Sequence, residues 1–116
     1  MTTHITQHEA AWALLQDQSF CQDWDELFAQ CLWATPFQGR AFVTTWYEVY
    51  ATRYEPLLVS RRRADGQLTG LLTLAIDRES GLITVAGTHH AEYQVWLSRP
   101  ELSNEFILAA LTTLRA

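Results

Sequence analysis

Residues 57–87, LLVSRRRADGQLTGLLTLAIDRESGLITVAG, decide the fold that the sequence predicts. Over 67–77 the side chains alternate with the two-residue period of a β-strand, and one face is expected to carry Leu68, Gly70, Leu72, Leu74 and Ile76. Asp65-Gly66 is a strong signal for a hairpin turn. We therefore predict an antiparallel meander with strands at 57–63, 67–77 and 82–87, followed by a short fourth strand at 93–97.

Helices are predicted on both sides of this meander. Three capping-box patterns pair a hydroxyl residue with a Glu or Gln three positions later: Thr6 with Glu9, Ser19 with Gln22, and Ser98 with Glu101. They place helix starts near Gln7, Phe20 and Arg99. The predicted helices cover 7–16, 20–32, 39–54 and a C-terminal segment after residue 99. The expected fold class is α+β, with an antiparallel sheet of three to four strands flanked by helices in a single domain, 1–116.

The helix predicted at 39–54 is unusually aromatic. Phe42, Trp46 and Tyr50 recur at four-residue intervals on one side, while Tyr47 and Tyr54 lie on a neighbouring side. Such a distribution indicates burial on more than one side of the helix. Two interpretations remain open: the helix packs between two layers, or part of it lines a substrate cleft.

Composition and charge narrow the classes of partner. The net charge is −5, from 8 basic and 13 acidic residues, which argues against a nucleic-acid surface. Arg61-Arg62-Arg63 would alternate across the two faces of a strand, so they are expected to be solvated charges or, alternatively, part of an anion site. Cys21 and Cys31 cannot bridge within one helix and indicate a reducing compartment. With no signal-peptide pattern and no apolar run long enough to span a membrane, we predict a cytoplasmic protein.

Side chains that could bind a metal ion or act as an acid or base are concentrated in the segment His89-His90-x-Glu92-Tyr93. A metal site is not predicted, since adjacent histidines in an extended segment point in opposite directions and no third ligand is suitably spaced. His90 or Glu92 could act as a general base, and the segment could equally be an ordinary polar loop. Nucleophile-elbow, Walker and dinucleotide-binding motifs are missing from the sequence.

A wider set of positions resembles a known family. The set is Pro36-Phe37-Gln38, Trp46, Pro56-Leu57-Leu58-Val59, Gly66-x-Leu68-x-Gly70-Leu71-Leu72-x-Leu74, Gly87 and Glu92-Tyr93. In this order they resemble the N-terminal half of the GNAT-like acyltransferases of the cellulose-biosynthesis (CelD/BcsL-like) family, which is related to the FemAB-type peptidyltransferases. The resemblance covers about residues 24–97. It rests on hydrophobic and turn patterns, and the family more often has Asp-Tyr where this chain has Glu92-Tyr93.

The resemblance implies that the chain is the N-terminal portion of a longer protein and shapes the acceptor side of a cleft. The implied reaction transfers an acyl group from acyl-CoA to an amine or hydroxyl of a small-molecule or peptide acceptor. The implied catalytic residues are His90 and Glu92, and the implied substrate-binding residues are Gln38, Trp46 and Tyr93.

No cofactor site is expected in this chain, because the turn at 63–68 joins two strands and offers no helix N-terminus to a phosphate. Acyl-CoA is expected only for a full-length protein. The alternative function is a non-catalytic stand-alone module that binds a partner or self-associates. If the chain is half of a two-part fold, the surfaces meant for the missing half are exposed. A homo-oligomer is therefore expected through the C-terminal helix, with Phe106, Ile107, Leu111 and Leu114, or through strand 93–97.

Overall fold

A five-stranded antiparallel sheet forms the centre of the molecule in the computed structural model, which describes residues 1–91 and 94–115. The elements in chain order are β1 (Thr2–Gln7), α1 (His8–Gln16), α2 (Gln18–Gln30), α3 (Arg40–Val49), β2 (Tyr54–Arg62), β3 (Leu68–Asp77), β4 (Ile83–Val85), β5 (Leu97–Ser98) and α4 (Ser103–Arg115). Short 3-10 turns occupy Pro36–Gln38, Thr88–His90 and Pro100–Leu102. The predicted fold class, an antiparallel sheet flanked by helices, is confirmed.

The sheet has one strand more than the sequence predicted. Its order is β1-β2-β3-β4, with β5 pairing with β3 beyond the end of β4. The missed strand is β1, which pairs antiparallel with β2 from Thr2 opposite Arg62 to Gln7 opposite Leu57. Its sequence, TTHITQ, contains one large apolar residue, Ile5, so alternation gave little signal. Its three threonines and an isoleucine were the available indication, since β-branched residues favour strands.

Both faces of the sheet are covered, which produces two hydrophobic cores. Helices α1 to α3 pack on one face, where the largest fully buried side chains are Trp24, Tyr47 and Phe20. Helix α4 packs on the other face, where Phe106 and Ala110 contact side chains of β2 and β3. The near-continuous apolar run of β3 follows from this arrangement, because both faces of the strand are covered and its residues are buried from Leu68 to Ala75.

A β-bulge changes the faces predicted for β3. Arg61 pairs with Gly70, but Arg62 pairs with Leu68, so Thr69 is an extra residue in β3. Leu68 therefore packs with the α1–α3 core, and the prediction that it shares a face with Gly70 and Leu72 was wrong. Gly70 faces α4, where a Cβ atom would lie 2.3 Å from Phe106 Cδ1. The missing side chain thus makes room for the Phe106 ring.

The three predicted capping boxes do not form. Thr6 belongs to β1, and α1 begins at His8 with no side-chain cap. The left-handed φ of 59° at His8 allows strand and helix to join without a linker. Helix α2 is capped by the Asp17 carboxylate, which accepts from the Phe20 N–H at 3.0 Å. Ser98 lies in β5, and α4 begins only at Ser103.

Several boundaries also differ from the predicted ones. Helix α3 ends at Val49 rather than at residue 54, because Tyr54 already pairs with Asp77 as the first residue of β2. Strand β4 is only three residues long. Of the strand predicted at 93–97, Tyr93 lies outside the described residues, 94–96 are not in a strand, and β5 starts at Leu97.

In the described part of the chain, no helix is long and apolar enough to cross a lipid bilayer. Both cysteines are free thiols, Cys31 buried and Cys21 half-buried.

Candidate functional site

Helix α3 has an inner side that is fixed to the sheet. Val43 and Tyr47 are fully buried there. The Tyr47 hydroxyl donates a hydrogen bond to the Leu74 carbonyl oxygen on β3 at 2.7 Å. Burial raises the pKa of Tyr47 far above its ordinary value, since ionisation would place a charge in the core. The inner side therefore locks the rotation of α3 and determines which residues face outward.

A turn after β4 brings His90 over the outer side of α3. Gly87 and Thr88 both have left-handed φ angles, 95° and 43°, and the 3-10 turn Thr88–His90 follows directly. The turn is closed by the His90 N–H, which donates to the Gly87 carbonyl oxygen at 2.8 Å. A Cβ atom on Gly87 would lie 2.7 Å from Ala91 Cβ and 3.1 Å from Phe42 Cε1. Gly87 therefore allows both the turn and its close approach to α3.

His90 forms hydrogen bonds with two aromatic residues of α3. Trp46 Nε1–H donates to His90 Nδ1 at 3.3 Å, and His90 Nε2 lies 3.1 Å from the Tyr50 hydroxyl oxygen. An indole N–H can only donate, so His90 Nδ1 carries no proton in this arrangement. The neutral imidazole then carries its proton on Nε2 and donates to Tyr50. The Tyr50 and His90 rings also stack, with centroids 4.9 Å apart.

These residues line an open, largely apolar depression of about 360 Å³, which we call the α3–His90 depression. Its lining consists of Ala41, Phe42, Thr45, Trp46, Val49, Tyr50 and His90. Trp46 is almost completely buried beneath it and packs against Tyr54, with ring centroids 5.0 Å apart. Val49 remains 65% exposed at its edge. The depression can thus offer a ligand an apolar surface and a small number of polar groups.

An exposed ion pair lies at the C-terminal end of α3. Arg53 Nη2 lies 3.2 Å from Asp77 Oδ2 and 3.5 Å from Glu79 Oε2, and the guanidinium is 5.4 Å from the centroid of the Tyr54 ring. The hydrogen bond from Arg53 lowers the pKa of the Asp77 carboxyl, with further help from the Glu79 backbone N–H. This pair joins the α3–β2 connection to the end of β3, next to the aromatic cluster under the depression.

The structure brings together two of the five predicted site residues, Trp46 and His90. Gln38 lies elsewhere: it is buried, and its Oε1 accepts from the N–H and the hydroxyl of Thr35, both at 2.8 Å. Its backbone carbonyl accepts from Trp24 Nε1 at 3.0 Å. Gln38 thus belongs to a true capping box, Thr35 with Gln38, which the sequence analysis did not identify. Glu92 and Tyr93 lie outside the described residues.

Sequence reasoning missed Tyr50 as a site residue, although its signal was present. Phe42, Trp46 and Tyr50 form the four-residue repeat for which core packing and a cleft were both left open. The structure divides that stripe by exposure, since Trp46 is almost completely buried at the base of the depression while Phe42 and Tyr50 are half-buried on its walls. Spacing could not make this distinction, because it depends on how His90 approaches α3 from a distant part of the chain.

The expected directions of the two histidines were wrong. His89 and His90 lie in a 3-10 turn rather than in an extended segment, and their ring centroids are 4.0 Å apart. Within residues 1–91 and 94–115, no three His, Cys, Asp or Glu side chains are grouped so that they could hold a metal ion.

The three consecutive arginines have separate environments, as their alternation on a strand predicted. Arg62 Nη1 lies 2.9 Å from Asp23 Oδ2 on the α1–α3 side. Arg61 is on the α4 side, with Nη1 4.0 Å from Glu105 Oε2 and without a hydrogen-bond partner for Nε or Nη1 among the described residues. Arg63 donates to Gln67 Oε1 at 2.8 Å. They do not form one anion site.

Comparison with known proteins adds no family assignment: no protein-family model matches the chain, and no curated protein or solved structure matches it at a significant level.

Proposed function

We propose that this chain is the acceptor-binding portion of a GNAT-like acyltransferase, in which the α3–His90 depression holds the molecule that receives the acyl group. The observation that carries the proposal is the meeting of Trp46 and His90. Both positions were selected from the sequence, and they lie 44 residues apart in the chain but share a hydrogen bond at the edge of an apolar depression. Gly87, also part of the resemblance, is the residue that permits this contact.

The proposal gives His90 a positioning role. Its Nδ1 lone pair accepts the Trp46 N–H, so His90 could take a proton at that atom only by giving up this bond. Glu92 follows two residues later and remains our candidate for the base that deprotonates an amine or hydroxyl acceptor. Tyr93 remains a candidate for acceptor binding. Backbone donors that polarise the thioester, together with the site for acyl-CoA, would belong to a longer protein.

The experiment uses the product of the complete reading frame. It is incubated with acetyl-CoA and a panel of primary amines, alcohols and peptides, and release of free CoA is measured. We expect acceptor-dependent release, and Tyr50→Phe should raise the KM for the acceptor while leaving the KM for acetyl-CoA unchanged. Absence of acceptor-dependent release across the panel, or an effect on the KM for acetyl-CoA alone, would contradict the proposal.

The chain of 116 residues by itself should not bind acetyl-CoA at micromolar concentration, which calorimetric titration can test.

A second candidate function is a non-catalytic binding or self-association module. The observation in its favour is that the His90 lone pair available to a base is already occupied by Trp46. Phe106, which was expected at the self-association surface, is fully buried against Gly70, whereas Leu111, which was also expected there, is exposed. The exposed apolar residues of α4 are Leu108 and Leu111. A homo-oligomer would therefore use the outer face of α4.

A further inference from the structure

We infer that the α3–His90 depression recognises an uncharged carbonyl oxygen carried on an apolar or aromatic group, and that the Tyr50 hydroxyl donates the hydrogen bond to it. That this ligand is the acyl acceptor rests on the proposed function. That the depression binds such a carbonyl group is argued from its geometry alone.

The direction of the hydrogen bonds determines what Tyr50 can offer. Trp46 Nε1–H donates to His90 Nδ1, which places the imidazole proton on Nε2. His90 Nε2–H then donates to the Tyr50 oxygen at 3.1 Å. The Tyr50 oxygen is already an acceptor, and its own proton remains to be donated. Within the described residues the Tyr50 hydroxyl has no second hydrogen-bond partner. The site therefore presents a donor to whatever enters the depression.

The surroundings of Tyr50 determine what kind of molecule carries the acceptor atom. Ala41, Phe42 and Val49 supply an apolar surface, and Val49 is left 65% exposed. A volume of about 360 Å³ lies in the range of small-molecule sites and has room for one ring with a short substituent. An aromatic or aliphatic body would cover this surface and place one polar atom at Tyr50.

Charge complementarity favours an uncharged acceptor. No lining residue carries a formal charge while His90 is neutral, and the chain as a whole has a net charge of −5. A carboxylate would lose hydration without gaining a cationic partner. An ammonium group would likewise lose hydration without gaining a carboxylate partner, since no Asp or Glu lines the depression. A ketone, ester or amide carbonyl meets neither obstacle.

The test compares two probes that differ in the carbonyl group, acetophenone and ethylbenzene. Each is titrated into the 116-residue chain, and dissociation constants are obtained from NMR shifts of the Trp46 indole N–H and the Val49 methyl groups. We expect acetophenone to bind about 2- to 10-fold more tightly, the contribution of one hydrogen bond between uncharged groups. Tyr50→Phe should abolish this preference and leave the affinity for ethylbenzene within about 2-fold.

Tyr54→Phe is the matched control. Tyr54 packs against Trp46 but does not line the depression, so this variant should keep the preference for acetophenone. The inference is overturned if the preference survives in Tyr50→Phe, if it is absent from the unsubstituted chain, or if the probes shift resonances only outside the depression. Preference without any acyl transfer would refute the proposed function alone, whereas acyl transfer without the preference would refute this inference alone.

Discussion

Gly87 has a left-handed backbone conformation, and there is no room for a side chain where it faces α3. The φ of 95° can be adopted by other residues only at a cost, and a Cβ atom would come within 3.1 Å of Phe42 and 2.7 Å of Ala91. Gly66, in the β2–β3 turn, has a similar φ of 91°, but nothing lies within 4 Å of its would-be Cβ. Substitution of Gly66 by alanine therefore measures the cost of the left-handed backbone alone, and substitution of Gly87 measures that cost together with the cost of crowding.

We predict that Gly87→Ala destabilises the protein more than Gly66→Ala. Both variants should lose about 1–2 kcal/mol from the left-handed backbone, and Gly87→Ala should lose about 1–3 kcal/mol more from crowding. Urea unfolding of both variants measures the difference. Equal losses would show that the turn after Gly87 does not approach α3 as closely as described.

Tyr47 gives a prediction about alkaline pH. Because burial raises its pKa in the folded protein, ionisation of the phenol in the unfolded chain, near pH 10, draws the equilibrium toward unfolding. The contribution of Tyr47 to stability is thus complete below about pH 10 and falls by about 1.4 kcal/mol per pH unit above it. Unfolding free energies from pH 8 to 11 should fall less steeply above pH 10 in Tyr47→Phe. Parallel curves for the two proteins would contradict the buried position of this hydroxyl.

At the scale of elements, α4 is held to the sheet by the fit of Phe106 against Gly70. The ring is fully buried, and the outer face of the same helix carries Leu111, which is 54% exposed. Of the residues expected at a self-association surface, Phe106 is therefore buried and Leu111 is exposed, and substitutions at these two positions test which face of α4 packs on the sheet.

We predict that Phe106→Ala lowers the unfolding free energy by about 3–5 kcal/mol, since it empties a buried aromatic position. Leu111→Ala is the matched control, and at a concentration at which the chain is monomeric it should change stability by less than about 0.5 kcal/mol. Thermal or urea denaturation compares them. A larger loss for Leu111→Ala would mean that the other face of α4 packs on the sheet.

The elements that sequence could predict are those whose pattern is local. The alternation of β3 and the Asp65-Gly66 turn predicted the β2–β3 hairpin correctly. Strand β1 was missed because its identity depends on pairing with β2, 50 to 60 residues away in the chain. The β-bulge at Thr69 places Leu68 on the other face of β3, and no pattern in the sequence predicts this extra residue. The same limit applies to the site, where Trp46 and His90 were selected but Tyr50 required the three-dimensional arrangement.

At the scale of the whole molecule, the outer face of α4 carries exposed apolar side chains. Leu108 is 65% exposed there, beside Leu111, while the inner face of the helix is buried against the sheet. Apolar side chains that cluster on a helix surface often mark a contact with another protein.

We predict that the chain forms a homodimer through this outer face. Light scattering over a range of concentrations should give a mass that rises from one chain to two. Leu108→Asp combined with Leu111→Asp should leave a monomer at all concentrations that is as stable as the unsubstituted chain at dilutions where it is monomeric, because neither side chain is part of a core. A monomer mass for the unsubstituted chain at every concentration would exclude the homodimer.

The arrangement of the α3–His90 depression depends on which ring nitrogen of His90 carries the proton. The hydrogen bond from Trp46 requires a neutral imidazole with its proton on Nε2, which then donates to Tyr50. Nitrogen-15 NMR of the histidine side chains at pH 8 distinguishes the two tautomers, and the spectrum of His90→Asn identifies the signals that belong to His90. We predict an unprotonated Nδ1, a protonated Nε2, and a shift of the Trp46 indole N–H signal in the variant. A protonated Nδ1, or an unchanged Trp46 signal, would contradict the hydrogen-bonded arrangement on which the site rests.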